Sequence, residues 1–132
     1  MFQLLYSSKP LFNAGSRQDE EILRAALQHN IDQDITGFLL RDVSTFYQVL
    51  EGPEKSILGL FETIKRDSRH KDVQREGFWE IERRSFGHWA MGYRCLTSEL
   101  VSCETLPESV GAKRGEAIRN SIIRIAKPGF SA

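Results

Sequence analysis

The chain has 132 residues, 40% hydrophobic and 27% charged, with 18 basic and 18 acidic side chains and a formal net charge of zero. That is ordinary globular sequence for one domain, long enough to bury a core without disulfide or metal staples. The balanced charge gives no electrostatic reason to expect nucleic acid or an anionic membrane as partner, and the apolar runs are too short to span a bilayer.

Phe2–Ser7 alternates like a strand and is rich in apolar residues, and Pro10, Asn13 and Gly15 mark a loop. Ser16 with Asp19 three residues on reads as a capping box, opening a helix that runs to about Gln28. Its stripe is Ile22, Leu23, Ala26 and Leu27, and Asn30 lies on nearly the same side. Ile35–Arg41 and Thr45–Glu51 read as strands joined by a hairpin turn at Asp42-Val43-Ser44. Gly52-Pro53 opens a second helix, with proline at the first helical position. That helix runs to about Asp67, turning Ile57, Leu60, Phe61 and Ile64 inward. Its end is basic, with Lys65, Arg66, Arg69, His70 and Lys71, which suits the negative end of a helix dipole. Strands come next near Val73–Arg84 and Met91–Leu96. The order βαββαββ predicts an α+β, ferredoxin-like sheet with both helices on one face. Leu106–Ala126 predicts a tail helix with Ile118, Ile122 and Ile125 as its apolar stripe and Lys113, Arg114, Arg119 and Arg124 on a basic side. A sheet with one open face needs a cover, and this helix is the expected cover.

Met1–Tyr6 lacks the basic and apolar regions of a signal peptide. Cys95 and Cys103 form no CxxC and do not combine with His29, His70 and His88 at metal-ligand spacing. The expectation is a cytoplasmic protein with two reduced thiols and no metal, a disulfide between the two being the less favoured arrangement.

Strand parity carries the functional argument. Phe2, Leu4 and Tyr6 share a face, as do Phe46, Gln48 and Leu50, and Trp89, Met91 and Tyr93. The apolar members belong on the helix-covered side, so a phenol, a carboxamide and a thioether go inward with them. A buried phenol or amide without a partner costs about 1–3 kcal/mol, and a cofactor edge with alternating C=O and N–H groups would satisfy both. Taken singly, each residue has a plain structural role. Tyr6 reads as a strand tyrosine, Asn30 as a helix cap, Met91 as core filler and Trp89 as packing at the sheet edge. His29 and His88 read as surface histidines. Gln48 is the least at home, flanked by Phe46, Tyr47, Val49 and Leu50.

The order of these segments resembles the BLUF family, the sensors of blue light using FAD. The likeness covers roughly Met1 to Leu96. It runs through Tyr6-Ser7-Ser8, Asn30 after His29, Ile35-Thr36-Gly37 and the strand Phe46-Tyr47-Gln48-Val49-Leu50-Glu51-Gly52. It continues through Ile64-Lys65-Arg66-Asp67-Ser68-Arg69-His70 and Arg84-Ser85-Phe86-Gly87-His88-Trp89-Ala90-Met91. The resemblance implies residues 1–96 as the flavin-binding domain, with the flavin between the two helices. Residues 97–132 would be a C-terminal helical extension, part of the same compact unit. Ile22 and Ile64 would sandwich the ring and Asn30 would hold its carbonyl edge, near His29. Asp67 and His70 would sit at the far edge, Arg66, Arg69 or Lys71 would meet the phosphates of FAD, and Lys65 would be among the cofactor-binding residues.

The implied activity is light sensing without turnover. Light drives an electron from Tyr6 to the flavin, Gln48 rearranges, and a red-shifted signalling state results. Trp89 or Met91 would meet Gln48 and carry the signal. No effector domain is expected in the remaining residues, so output would pass to a partner protein or to self-association. Two other readings stand beside this one. A flavin-dependent oxidoreductase on the same scaffold is disfavoured by the lack of a GxGxxG fingerprint. A cofactor-free interaction module is allowed by fold alone.

Overall fold

Runs of aliphatic and aromatic residues, broken by turn formers, put five strands into one sheet. The computed structural model of the chain describes residues 1–11, 17–42, 44–87, 90–96 and 112–126. The strands are β1 (Phe2–Pro10), β2 (Thr36–Asp42), β3 (Phe46–Gly52), β4 (His70–Glu80) and β5 (Gly92–Leu96). They lie in the order β4-β1-β3-β2-β5. The first four pair antiparallel, and β5 joins β2 in parallel. Helices α1 (Arg17–Asp32) and α2 (Glu54–Lys65) carry the two crossovers, and α3 (Ala112–Ala126) comes last. This is the expected α+β, ferredoxin-like arrangement with one strand added beside β2.

Each face of the sheet builds its own core. On one side Leu4, Tyr6, Leu39, Phe46 and Leu50 meet Ile57 and Phe61 of α2, with Ile22, Ala26 and Leu27 of α1 beside them. On the other, Leu5, Phe38, Leu40, Val49 and Phe86 meet Ile118, Ile122 and Ile125 of α3. The stripe on the tail helix therefore covers the second face. Arg114 fastens it to β4 through Glu76 at 2.7 Å, and Arg119 lies over the Trp79 ring at 4.5 Å. The register slip in the β1–β4 ladder leaves Glu76 unpaired between Arg75 and Gly77. Such a bulge re-aims a residue, and here it turns Glu76 to α3. The side chain of Lys113 lies outside the described residues.

Several element ends differ from expectation. β1 continues to Pro10, past the expected strand end at Ser7 and onto the first residue of the expected loop. Its pairing with β3 stops at Ser8, so Pro10 has β4 alone as neighbour, and an edge tolerates proline. α1 runs four residues past Gln28, to Asp32. Asn30 is thus inside the last turn and does not cap it. The chain turns at Asp34 instead, with φ of 57°, and Ile35 N donates to Asn30 O at 2.9 Å. Pro53 is the N-cap of α2, with extended backbone, and not its first helical residue; the helix ends at Lys65 with Arg66 as C-cap. β4 spans His70–Glu80 rather than the expected Val73–Arg84. Residues 82–86 are drawn into a loop because Ser85 N and Phe86 N bond the Glu51 side chain. Met91 precedes β5. The expected capping box at Ser16 and Asp19, the turn residue Val43, the start of the tail helix at residues 106–111 and the thiols of Cys95 and Cys103 lie outside the described residues.

Candidate functional site

Between α1, α2 and the sheet lies a cavity of 310 Å³, at the lower end of the size of small-molecule sites. Ile22, Ala25, Ala26 and His29 of α1 form one wall, and Leu60, Thr63 and Ile64 of α2 face them. The floor is Tyr6 of β1, Leu39 of β2 and Phe46 and Gln48 of β3. Asp67, Arg69 and His70 stand at one end. Period 3.6 on the helices and period 2 on the strands bring these residues to one space.

The floor is a connected polar row. Tyr6 and Gln48 are directly opposed in the β1–β3 ladder. The Tyr6 hydroxyl donates to Gln48 Oε1. Gln48 Nε2 donates to Met91 Sδ at 3.3 Å. All three side chains are buried. Sulfur accepts weakly and donates nothing, so Met91 favours the amide's NH₂ end and holds it loosely. Burial first, and then the nearby Asp67 carboxylate, push the Tyr6 phenol far above its ordinary value. Tyr6 therefore remains protonated throughout the working range.

Two further groups frame the cavity. His70 Nδ1 is 2.7 Å from Ser8 Oγ and Nε2 is 2.7 Å from Ile64 O, which ties β4 to β1 and to the end of α2. Asp67 receives Arg69 Nη2 at 2.6 Å and Arg69 N at 2.9 Å. The Arg69 hydrogen bond holds the Asp67 carboxyl below its usual value, against a smaller opposing effect of burial. Asn30 is fully buried. Its Nδ2 donates to Ala90 O at 2.7 Å, and its Oδ1 has no hydrogen-bond partner among the described residues.

The sequence-derived set thus divides. Tyr6, Ile22, His29, Gln48, Ile64, Asp67, Arg69 and His70 line the cavity. Asn30 and Met91 do not line it; Met91 accepts from Gln48 of the floor, and Asn30 bonds the carbonyl of Ala90, next to Met91. Lys65 and Arg66 do not line it; Lys65 pairs with Glu62 at 2.7 Å, and Arg66 caps α2. Trp89 lies outside the described residues. Leu39, Ala25 and Thr63 also line the cavity, and no sequence signal singles them out. Leu39 faces Gln48 across the β2–β3 ladder, a placement that needs the register. Parity alone puts Phe46 on the Gln48 face.

The residues present fit a flavin. Aliphatic side chains on two facing helices suit the faces of a flat ring, and the polar floor suits an edge of alternating donors and acceptors. The buried Asn30 Oδ1, one residue past the wall residue His29, is an acceptor left without a donor among the described residues.

Residues 1–92 match the family described as "BLUF: Sensors of blue-light using FAD", whose domains bind flavin. The chain is 34% identical over 70 residues to the blue light- and temperature-regulated antirepressor of Escherichia coli (strain K12), covering 53% of this chain and 17% of that protein. It resembles the photo-activated state of BlsA with a TM-score of 0.77 and 26% identity, over 98% of this chain and 99% of the other. It also resembles a bacterial light-regulated adenylyl cyclase with a TM-score of 0.66 and 34% identity, over 76% of this chain and 30% of that one.

Proposed function

This chain belongs to the BLUF family of blue-light sensors, and from that premise we propose that it is a photoreceptor that switches through Tyr6, Gln48 and Met91. The observation that carries the reading is the Gln48 amide. It is buried at the cavity floor, with its acceptor end on a phenol and its donor end on a thioether. An amide has two different ends, so turning it over exchanges donor for acceptor at the cavity. At low local dielectric that exchange has a large effect on anything bound there.

The flavin, proposed to be FAD, supplies absorption of blue light and an excited state that accepts an electron. Tyr6 is the phenol on the floor and would be the group to give that electron. Oxidation makes a phenol strongly acidic, so its proton moves along the existing hydrogen bond to Gln48 Oε1. On return of the electron, Tyr6 would recover its proton. Gln48 is left rotated or tautomerised, its loose bond to Met91 Sδ being the easiest to give up. Ile22 and Ile64 hold the ring from the two helices and exclude water, and Asn30 of α1 holds its carbonyl edge. Arg69, with Lys65, Arg66 and Lys71 near the same helix end, provides the cations for the phosphates. His29, Asp67 and His70 complete the polar rim. No turnover is proposed. The signal passes by way of Met91, with Trp89 two residues before it, to a partner protein or to a second copy of the chain.

The test is the visible absorption spectrum of the flavin-loaded protein in darkness and after blue light. A structured flavin band that moves slightly to the red and returns in the dark is the expected result. A flavin band that bleaches or does not respond would overturn the reading.

A further inference from the structure

Strand β3 carries a second side chain out of keeping with its neighbours. Glu51 is fully buried, three residues past Gln48 and on the opposite face. Its Oε1 accepts from Phe86 N at 2.6 Å and Thr36 Oγ1 at 2.9 Å. Its Oε2 accepts from Ser85 N at 2.8 Å and Gln3 Nε2 at 3.1 Å. Arg84 reinforces the same end of the sheet. Its Nη1 donates to Thr36 Oγ1 at 2.9 Å and Glu51 O at 3.2 Å, and its Nη2 to Asp34 O at 3.0 Å. A carboxylate is tolerated in such a place only when its lone pairs find donors. Here two of the donors are consecutive backbone amides, so the carboxylate dictates both the position and the direction of the chain at Ser85 and Phe86.

Phe86 and Met91, five residues apart in the chain, belong to different cores. Phe86 is buried in the core beneath α3, its ring 5.7 Å from that of Phe38. Met91 is buried in the other core, against the cavity floor. The segment therefore begins on one face of the sheet and ends on the other. Five residues reach at most about 17 Å, so where Met91 can stand depends on where Phe86 is held. Near its end the segment is fastened to α1 through Ala90 O and to β3 through Met91 Sδ.

We propose that the Glu51 carboxylate is a positioning residue: it sets where Met91 presents its sulfur to the Gln48 amide, and so sets the balance between the amide's two orientations. The proposal rests on the photosensor reading. It adds a route by which a change at Gln48 reaches Phe86 and the core under α3.

The experiment uses the full chain with flavin bound. Glu51→Gln replaces an acceptor oxygen with an NH₂ group that faces N–H or O–H donors. Ile122→Ala, in the same core but without a hydrogen bond to the segment, is the control for lost stability. The chain has two methionines, so methyl-labelled methionine gives two resonances in darkness, with no photochemistry involved. The buried Met91 signal should shift or broaden in Glu51→Gln and hold its place in Ile122→Ala. After a blue-light pulse, dark recovery in Glu51→Gln should change about tenfold, the effect on a rate of losing roughly one hydrogen bond. In a Met91→Leu background the Glu51 substitution should add nothing, because coupled residues are not additive. Should Glu51→Gln fail to fold, Thr36→Val removes one donor to the carboxylate and should move the Met91 signal in the same direction.

An unmoved Met91 resonance, or recovery effects that add in the double variant, would overturn the proposal while leaving the wild-type photocycle intact. A wild-type chain with no photocycle would remove the photosensor reading, and this proposal with it.

Discussion

Two glycines inside helices should respond in opposite ways to the same substitution. In a helix interior, glycine to alanine ordinarily gains about 0.8–1 kcal/mol. Gly59 lies on the exposed side of α2, where an added Cβ meets nothing within 4 Å. Gly59→Ala should show the full gain. Gly115 lies on α3 where the helix backbone meets β4. A Cβ there would stand 2.2 Å from Glu76 O and 3.0 Å from Glu76 C, whereas ordinary contact begins at 3.4 Å. A space of about 1.2 Å must therefore open. Glu76 is held between two residues paired to β1, so the helix must give. That lifts Ile118, Ile122 and Ile125 from the sheet, and a gap of about 0.5–1 Å already forfeits a quarter to a half of the dispersion well. Overpacking of this kind costs about 1–3 kcal/mol, at least as much as the propensity gain. Gly115→Ala should thus show no gain and a net loss of up to about 2 kcal/mol. Urea denaturation followed by far-ultraviolet circular dichroism measures both variants against wild type. If Gly115→Ala gains as much stability as Gly59→Ala, α3 does not rest on β4 at Glu76.

Other substitutions test the site. Gln48→Leu should retain flavin and lose the light-induced red shift, since only the amide is removed; a normal shift would sink the mechanism. Tyr6→Phe should bind flavin and fail to reach the signalling state, and a full photocycle in that variant would point to another donor, Trp89 first. Asp67 tests the acid limb. Its folded value is depressed by Arg69, so the stabilisation it contributes is complete above the unfolded value of about 3.9. It is lost as pH falls through the lower folded value. The pair is partly exposed, so the effect is small. Urea midpoints at descending pH should fall less steeply in Asp67→Asn, and an unchanged slope would show that the pair contributes nothing.

Much of the site is legible in the sequence because it depends on local periodicity. Parity places Tyr6, Phe46 and Gln48 on one face, and helical spacing places Ile22 and Ile64 on inward stripes. Gln48 announces itself by polarity in an apolar strand. Glu51, on the same strand and equally out of place, shows its role only in three dimensions, because its donors lie at Gln3, Thr36, Ser85 and Phe86. Asn30 reads as a cap and is not one, because helix ends are decided by competition among backbone bonds, here closed by Asp34.

The sequence by itself determined the element types, their order, the two apolar stripes that flank the cavity and the polar side chains of its floor. Those arise from patterns a few residues long. Only the tertiary structure decided that Leu39 opposes Gln48, that Met91 meets its amide, that β5 lies parallel to β2 and that a bulge at Glu76 receives α3. These are matters of register and of contacts between residues far apart in the chain. A slip of one residue in a strand reverses every side chain without changing the local pattern, so no local reading can supply them.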